Sequence, residues 1–250
     1  MSAISTAQVP DLRDYFDLQL ILAARLADRL GLAPAEAVAR YTNFRKRFGL
    51  DSPQGATNWA QFLHDFEAED DAAARLDVAV RRHAQAPRDS LPSGQARFGC
   101  FACDAPLEGG VVRIHFTNRT GDPEVGPLAA ARMDDRIAEL TAMFAFVRGT
   151  WPEARSVLGG SWLYNLEAYR RLFPPAYGAS AQVPEGPVRL NGSSSWGQVL
   201  DHRGRVKPAV RDHLLARLDS LDPDAPWRAF PLRALLANAP IEAFFGHYGV

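Results

Sequence analysis

The sequence predicts an α+β fold, a single mixed sheet with flanking helices, preceded by an N-terminal helical cap. Three observations predict it. Apolar residues recur at helical spacing up to about His83. From Arg97 onward the pattern shifts to short β-rich runs punctuated by Gly and Pro. Strand-like and helix-like segments then alternate toward the C-terminus, the order expected of one sheet with helices packed on it. The period changes across a Pro/Ser/Gly-rich stretch at 86–96, so the chain divides into a cap, 1–96, and a sheet-bearing core, 97–250.

Residues 11–30 form the first helix, with Tyr15, Leu18, Leu22 and Leu26 on one face and Gly31 at its C′ position. Pro34 opens the second helix and Gly49 closes it. Its last turn carries Arg45, Lys46 and Arg47 against the negative end of the dipole. A short helix follows at Trp59–Phe66. Asp70 and Asp71 cap another that ends in Arg81–Arg82. Arg97–Cys103 and Val111–Phe116 read as a hairpin, and 118–127 as a loop. Residues 128–147 read as a helix with Met133, Ile137, Leu140 and Phe144 inward. Arg155–Tyr164 reads as a strand, and Asn165 as the cap of a helix that Pro174-Pro175 ends. Trp196–Leu200 and Arg205–Val206 look like short strands, with helices at about 208–220 and 231–237. No internal repeat is visible.

Composition narrows the function. Of the 250 residues 47% are apolar, too many for a disordered chain, and the net charge of -1 excludes a nucleic-acid binder that works by bulk positive charge. No apolar run reaches the ~20 residues that span a bilayer. The N-terminus lacks a basic n-region and an apolar h-region, and two cysteines make no disulfide framework, so a cytoplasmic location is expected. Lys46 and Lys207 are the only lysines among 28 basic side chains, a bias that follows from a GC-rich genome or from a need for guanidinium forks.

The motif search prunes further. The sequence has no P-loop, no G-x-G-x-x-G after a strand and no H-E-x-x-H. Gly159-Gly160-Ser161-Trp162-Leu163 has Leu where a nucleophile elbow needs Gly. Cys100 and Cys103 read as small buried residues, with half a zinc site or a redox pair as the alternatives. His115 lies at the C-terminal end of a strand before a polar loop, where a neutral imidazole can act as base. The helix start near Pro127 offers N–H groups to an anion, and Gly126 lets a ligand approach. Ser161, Trp162 and Asn165 end the next strand and are candidates to bind substrate, as are Trp196 and Gln198. Asp134, Asp135 and Glu139 read as the polar face of their helix.

Several stretches carry a resemblance: Tyr41-Thr42-Asn43, Arg47-Phe48-Gly49-Leu50, Phe98-Gly99-Cys100-Phe101, His115-Phe116-x-Asn118, Ser161-Trp162-Leu163-Tyr164-Asn165 and Trp196-Gly197-Gln198. Together they resemble a widespread bacterial family of uncharacterised proteins. More loosely, residues 110–200 are similar to GNAT-type acyl-CoA N-acyltransferases, especially the divergent C-terminal domains with a Ser-Trp-Leu strand. That similarity implies acyl transfer from acyl-CoA, as a co-substrate, to an amine. It puts the coenzyme's pyrophosphate at 119–128, near Asn118, Arg119, Gly121, Gly126 and Arg132. It implies His115 as base and Tyr164 or Tyr169 as proton donor. The partner expected is a small molecule, with no nucleic acid, membrane or resident metal. A non-catalytic ligand-binding or regulatory protein and a metal-dependent hydrolase are the alternatives.

Overall fold

The computed structural model describes residues 11–87, 94–120 and 122–250. The cap begins with α1 (Arg13–Leu30), which ends on Gly31 at φ 64, a left-handed position that costs glycine little. Next come α2 (Pro34–Tyr41) and α3 (Phe44–Arg47), where the sequence suggests one helix. Thr42 is extended and breaks it. Buried hydrogen bonds hold the break: Thr42 Oγ1 donates to Val38 O, and Gln19 Oε1 accepts from Asn43 N–H at 2.8 Å. Two further helices, α4 (Ala56–Glu67) and α5 (Ala72–Ala84), complete the cap, and Asp71 Oδ1 caps α5 by accepting from Ala73 and Ala74 N–H.

The sheet follows. Strands β1 (Gln95–Phe98) and β2 (Phe101–Asp104) are a hairpin of their own where one strand is expected, because Gly99, at φ 58, turns the chain. After β3 (Val111–Phe116), a polar loop leads to α6 (Met133–Thr150) and β4 (Ser156–Ser161). Two short helices, α7 (Glu167–Arg170) and α8 (Pro175–Ala179), come next. Asn165 does not cap α7; its amide donates to Trp162 O and Arg233 O at 2.7 and 2.8 Å. The stretch expected as a strand at Trp196–Leu200 is instead α9 (Ser193–Trp196) and a 3-10 turn, and only Leu200 and Val206 bridge. Helix α10 (Pro208–Leu215) precedes β5 (Leu235–Pro240), at the place where a helix is expected. α11 (Ile241–Tyr248) ends the fold.

The strands lie in the order β1-β2-β3-β4-β5. The pairs are antiparallel except β3 with β4, which are parallel and joined through α6. One face of the sheet, with Phe101, Cys103, Val112, Ile114, Val157 and Ala237, is buried in a cluster with Leu140, Met143 and Phe144 of α6 and Phe244 of α11. Alternation puts Gln95, Asp104, Arg113, His115, Leu158 and Gly160 on the other face. A second apolar cluster joins α1–α5 to the segment around Leu190, Trp196, Val199, Leu214 and Phe230. That segment leaves the sheet after β4 and returns to it at β5.

His83, on α5, makes the cap sensitive to acid. Its Nδ1 lies 3.3 Å from Arg47 O, and its ring is 5.2 Å edge-on from Phe16. Burial holds its pKa below the ordinary 6.5. The unfolded chain therefore takes up the proton first as pH falls, so the stabilising term present above pH 6.5 is lost below it, down to the folded pKa. Stability should fall as pH drops below about 6.5, and His83→Gln should flatten that slope in denaturant titrations. An unchanged slope would contradict the assignment.

Candidate functional site

The site is built where β3 and β4 part. Their ladder runs from Val111↔Ser156 to Ile114↔Gly159 and stops. Beyond it β3 stays paired with β2, Phe101↔Phe116, while β4 stays paired with β5, Ser161↔Leu235. Each strand follows its outer neighbour, and the β3–β4 ladder is not continued between Phe116 and Gly160. Gly160 O, the next acceptor the ladder would use, instead accepts from Ser194 Oγ at 3.2 Å. Thr117 N–H faces β2, where it bonds Cys100 O at 2.9 Å. By alternation the N–H of Phe116 is directed toward the β4 side.

The two glycines of β4 act differently. A Cβ on Gly159 would overlap the hydroxyls of Tyr164 and Tyr177, which press on the buried face. Gly160 is exposed on the opposite face, and a Cβ there would meet only Leu236 Cδ2, at 3.1 Å. Gly160 itself projects no side chain on the face that carries His115, and Leu236 Cδ2 borders the position a Cβ would take.

On that open face His115 Nε2 lies 3.0 Å from Asp104 Oδ2. His115 Nε2 is buried and makes no well-aligned hydrogen bond, and this carboxylate oxygen is the polar atom it faces. Asp104 Oδ1 accepts from Gln95 Nε2 at 2.6 Å, and Arg113 Nε is 3.9 Å from Oδ2. Burial alone would raise the Asp104 carboxyl; His115, Gln95 and Arg113 outweigh it and hold the pKa below the usual value.

Tyr164 and Tyr169 lie on the other side of the sheet and are buried. The Tyr164 and Tyr177 hydroxyls are 2.5 Å apart, and burial drives Tyr164 and Tyr169 well above the usual phenol range. The three residues expected to catalyse are thus not brought together: His115 faces the open side, and the tyrosines are enclosed.

The residues expected to hold the anionic end of a coenzyme also divide. Arg119 and Arg132, with Arg136, Cys100 and Glu139, line a cleft of about 390 Å³ at the start of α6. Arg132 pairs with Asp122 at 2.6 Å and Asp135 at 3.3 Å. Arg136 is buried; it donates to Glu139 Oε1 at 2.6 Å and contacts Cys100 Sγ at 3.1 Å, and Glu139 Oε2 accepts from Cys100 N–H. Glu139 is therefore part of a buried network and not only polar helix surface. Gly126 packs against the His202 ring, and Asn118 Nδ2 donates to His202 O at 2.7 Å. Gly121 lies outside the described residues.

Among the residues expected to bind substrate, Ser161 and Trp162 lie beyond the end of the β3–β4 ladder. Ser161 Oγ accepts from Leu163 N–H, and Lys207 Nζ sits 5.1 Å over the Trp162 ring. Trp196 and Gln198 are buried and offer no surface to a ligand. Gln198 clamps Leu232, whose N–H and O it bonds at 2.9 Å each, and Trp196 Nε1 donates to Tyr41 O. Both cysteines are free thiols; burial and then Asp104 push Cys103 up to about 12. Among the described residues no group of three or more His, Cys, Asp and Glu is placed to hold a metal ion, and no helix is long and apolar enough to cross a membrane.

Sequence reasoning missed Asp104, Gln95 and Arg136. Only Arg136-x-x-Glu139 had a local signal, the i,i+3 ion-pair spacing. Comparison with protein-family profiles, with curated proteins and with solved structures finds no match for this chain.

Proposed function

We propose that this protein transfers an acyl group from a CoA-type thioester to an amine, at the place where β3 and β4 part. The parting of that parallel pair after Ile114 and Gly159 is the observation that supports this reading most. An extended thioester arm fits between strands whose facing backbone groups are released from each other. The Phe116 N–H is a donor for the acyl carbonyl oxygen, where negative charge develops during attack. The cleft with Arg119, Arg132 and Arg136 accepts the anionic end. His115, on the same face of the sheet as Gly160, takes the proton of the amine as its nitrogen attacks the carbonyl carbon. The C–S bond breaks, and the thiolate that leaves regains that proton from the imidazole. The buried Tyr164 and Tyr169 take no part in this scheme and serve the core.

Thermal unfolding with acetyl-CoA and longer acyl-CoA esters tests it. A ligand at 100 times its Kd adds about 2.7 kcal/mol. Gly160→Val should abolish the shift by placing a branched side chain beside the proposed path of the thioester arm. Valine suits a strand, and the atom its Cβ would meet is the flexible end of Leu236, so the free variant should keep its stability within about 1 kcal/mol. Release of free thiol in the presence of amines then separates transfer from binding alone. Absence of a shift with every ester would overturn the proposal.

A further inference from the structure

We infer that Asp104 is a positioning residue: it holds the proton of neutral His115 on Nε2 and so leaves Nδ1 as the nitrogen that accepts a proton. The inference deepens the acyl-transfer reading and rests on it for the reaction served, but not for the state of the ring.

The geometry arises from three strands. In the β2–β3 ladder, Ala102 stands opposite His115 and Cys103 opposite Ile114, so the next position, Asp104, stands opposite Arg113. The residue directly across would be the usual partner. Yet Arg113 Nε stays at 3.9 Å with its side chain half exposed, while the diagonal neighbour His115 comes within 3.0 Å. Asp104 is steered from its far side. Gln95, its register partner on β1, donates to Oδ1 at 2.6 Å and leaves Oδ2 turned to the imidazole.

A carboxylate only accepts, so the ring nitrogen facing it is most favourable carrying its proton. His115 Nε2 is buried, and Asp104 is the polar group that faces it. The side chain keeps 27% exposure, which therefore belongs to the rest of the ring. With the proton fixed at Nε2, the lone pair of the neutral ring is on Nδ1. A histidine without such an orienting group divides between two tautomers, and only one presents the right nitrogen to an incoming amine.

Nitrogen-15 NMR of the histidine-labelled full chain in alkaline buffer reads the tautomer directly. The wild type should show protonated Nε2 and bare Nδ1 at His115. Asp104→Ala should shift the ring toward a mixture, and Gln95→Ala, which only loosens the carboxylate, should do so in part. Arg113→Ala, on the same face, should leave the ring unchanged. In the transfer assay Asp104→Ala should lower kcat on the order of 100-fold with KM for the thioester unchanged. A wild-type ring protonated on Nδ1, or a tautomer unmoved in both the Asp104 and Gln95 variants, would overturn the inference. If the tautomer moves as expected but no acyl transfer is found, the positioning role stands and the proposed reaction falls.

Discussion

Gly159→Ala is expected to lower stability by about 3 kcal/mol, the upper part of the range for overpacking a filled core. For a chain of this size that is a fall in Tm of roughly 6–12 °C. The cause is local and specific. The new methyl would overlap the hydroxyls of Tyr164 and Tyr177 and stand 2.9 Å from Tyr164 Cζ. Neither ring can withdraw easily. Tyr164 packs against Tyr169 at 5.2 Å and Tyr177 against Phe244 at 4.9 Å, all within the cluster on the buried face of the sheet. The same contact predicts a reversal of sign. Tyr164→Phe with Tyr177→Phe removes the buried hydroxyl pair, a loss of about 1 kcal/mol on the wild-type background. On the Gly159→Ala background the same two changes remove most of the overlap and should stabilise. Denaturant unfolding of the four proteins gives the coupling energy. A Gly159→Ala variant as stable as the wild type would contradict this account of the core.

Trp196→Ala should cost about 3–5 kcal/mol, the usual loss for a large aromatic removed from a core. Trp196 is fully buried. It meets Phe230 edge-on at 4.9 Å and Tyr15 at 6.3 Å, and its Nε1 donates to Tyr41 O at 3.0 Å. It thereby ties the segment between β4 and β5 to the helical cap. Trp196→Phe keeps most of the apolar contact and strands the Tyr41 carbonyl, so about 1–2 kcal/mol is expected. The two large predictions lie in different apolar clusters, and comparing them tests cooperativity. If sheet and cap fold as one unit, both variants shift a single transition. Two separated transitions in Trp196→Ala would mean that this tryptophan is what couples the clusters.

The helices of the cap were legible because their signals are short-range. In α1 the apolar stripe, the acidic first turn and Gly31 agree over one stretch of chain, and in α5 so do Asp71 and the terminal arginines. The break at Thr42 was not legible, because its compensation comes from Gln19, on another helix. β5 was misread for a similar reason. Leu235-Leu236-Ala237-Asn238-Ala239 is compatible with either period, and pairing with β4 on one side and Gln182 on the other makes it a strand. Trp196 and Gln198 read as candidate binding groups, since polar and aromatic residues in a Gly/Ser-rich run suit a ligand site. Burial turned them into structural ties.

The α+β class, the helical N-terminal region, and His115 at the end of a strand before a polar loop can all be read from the chain's local patterns. Each follows from periodicity, caps or turn residues, which act over a few positions. Only the tertiary structure decided what surrounds His115. Asp104 reaches it because β2 and β3 pair in one register; a shift by one residue would send the carboxylate to the other face of the sheet. Tyr164 lies just past the end of β4, yet the fold carries its hydroxyl to the face opposite the histidine, over Gly159. Register and sidedness are set by contacts between residues far apart in the chain, and no local pattern encodes them.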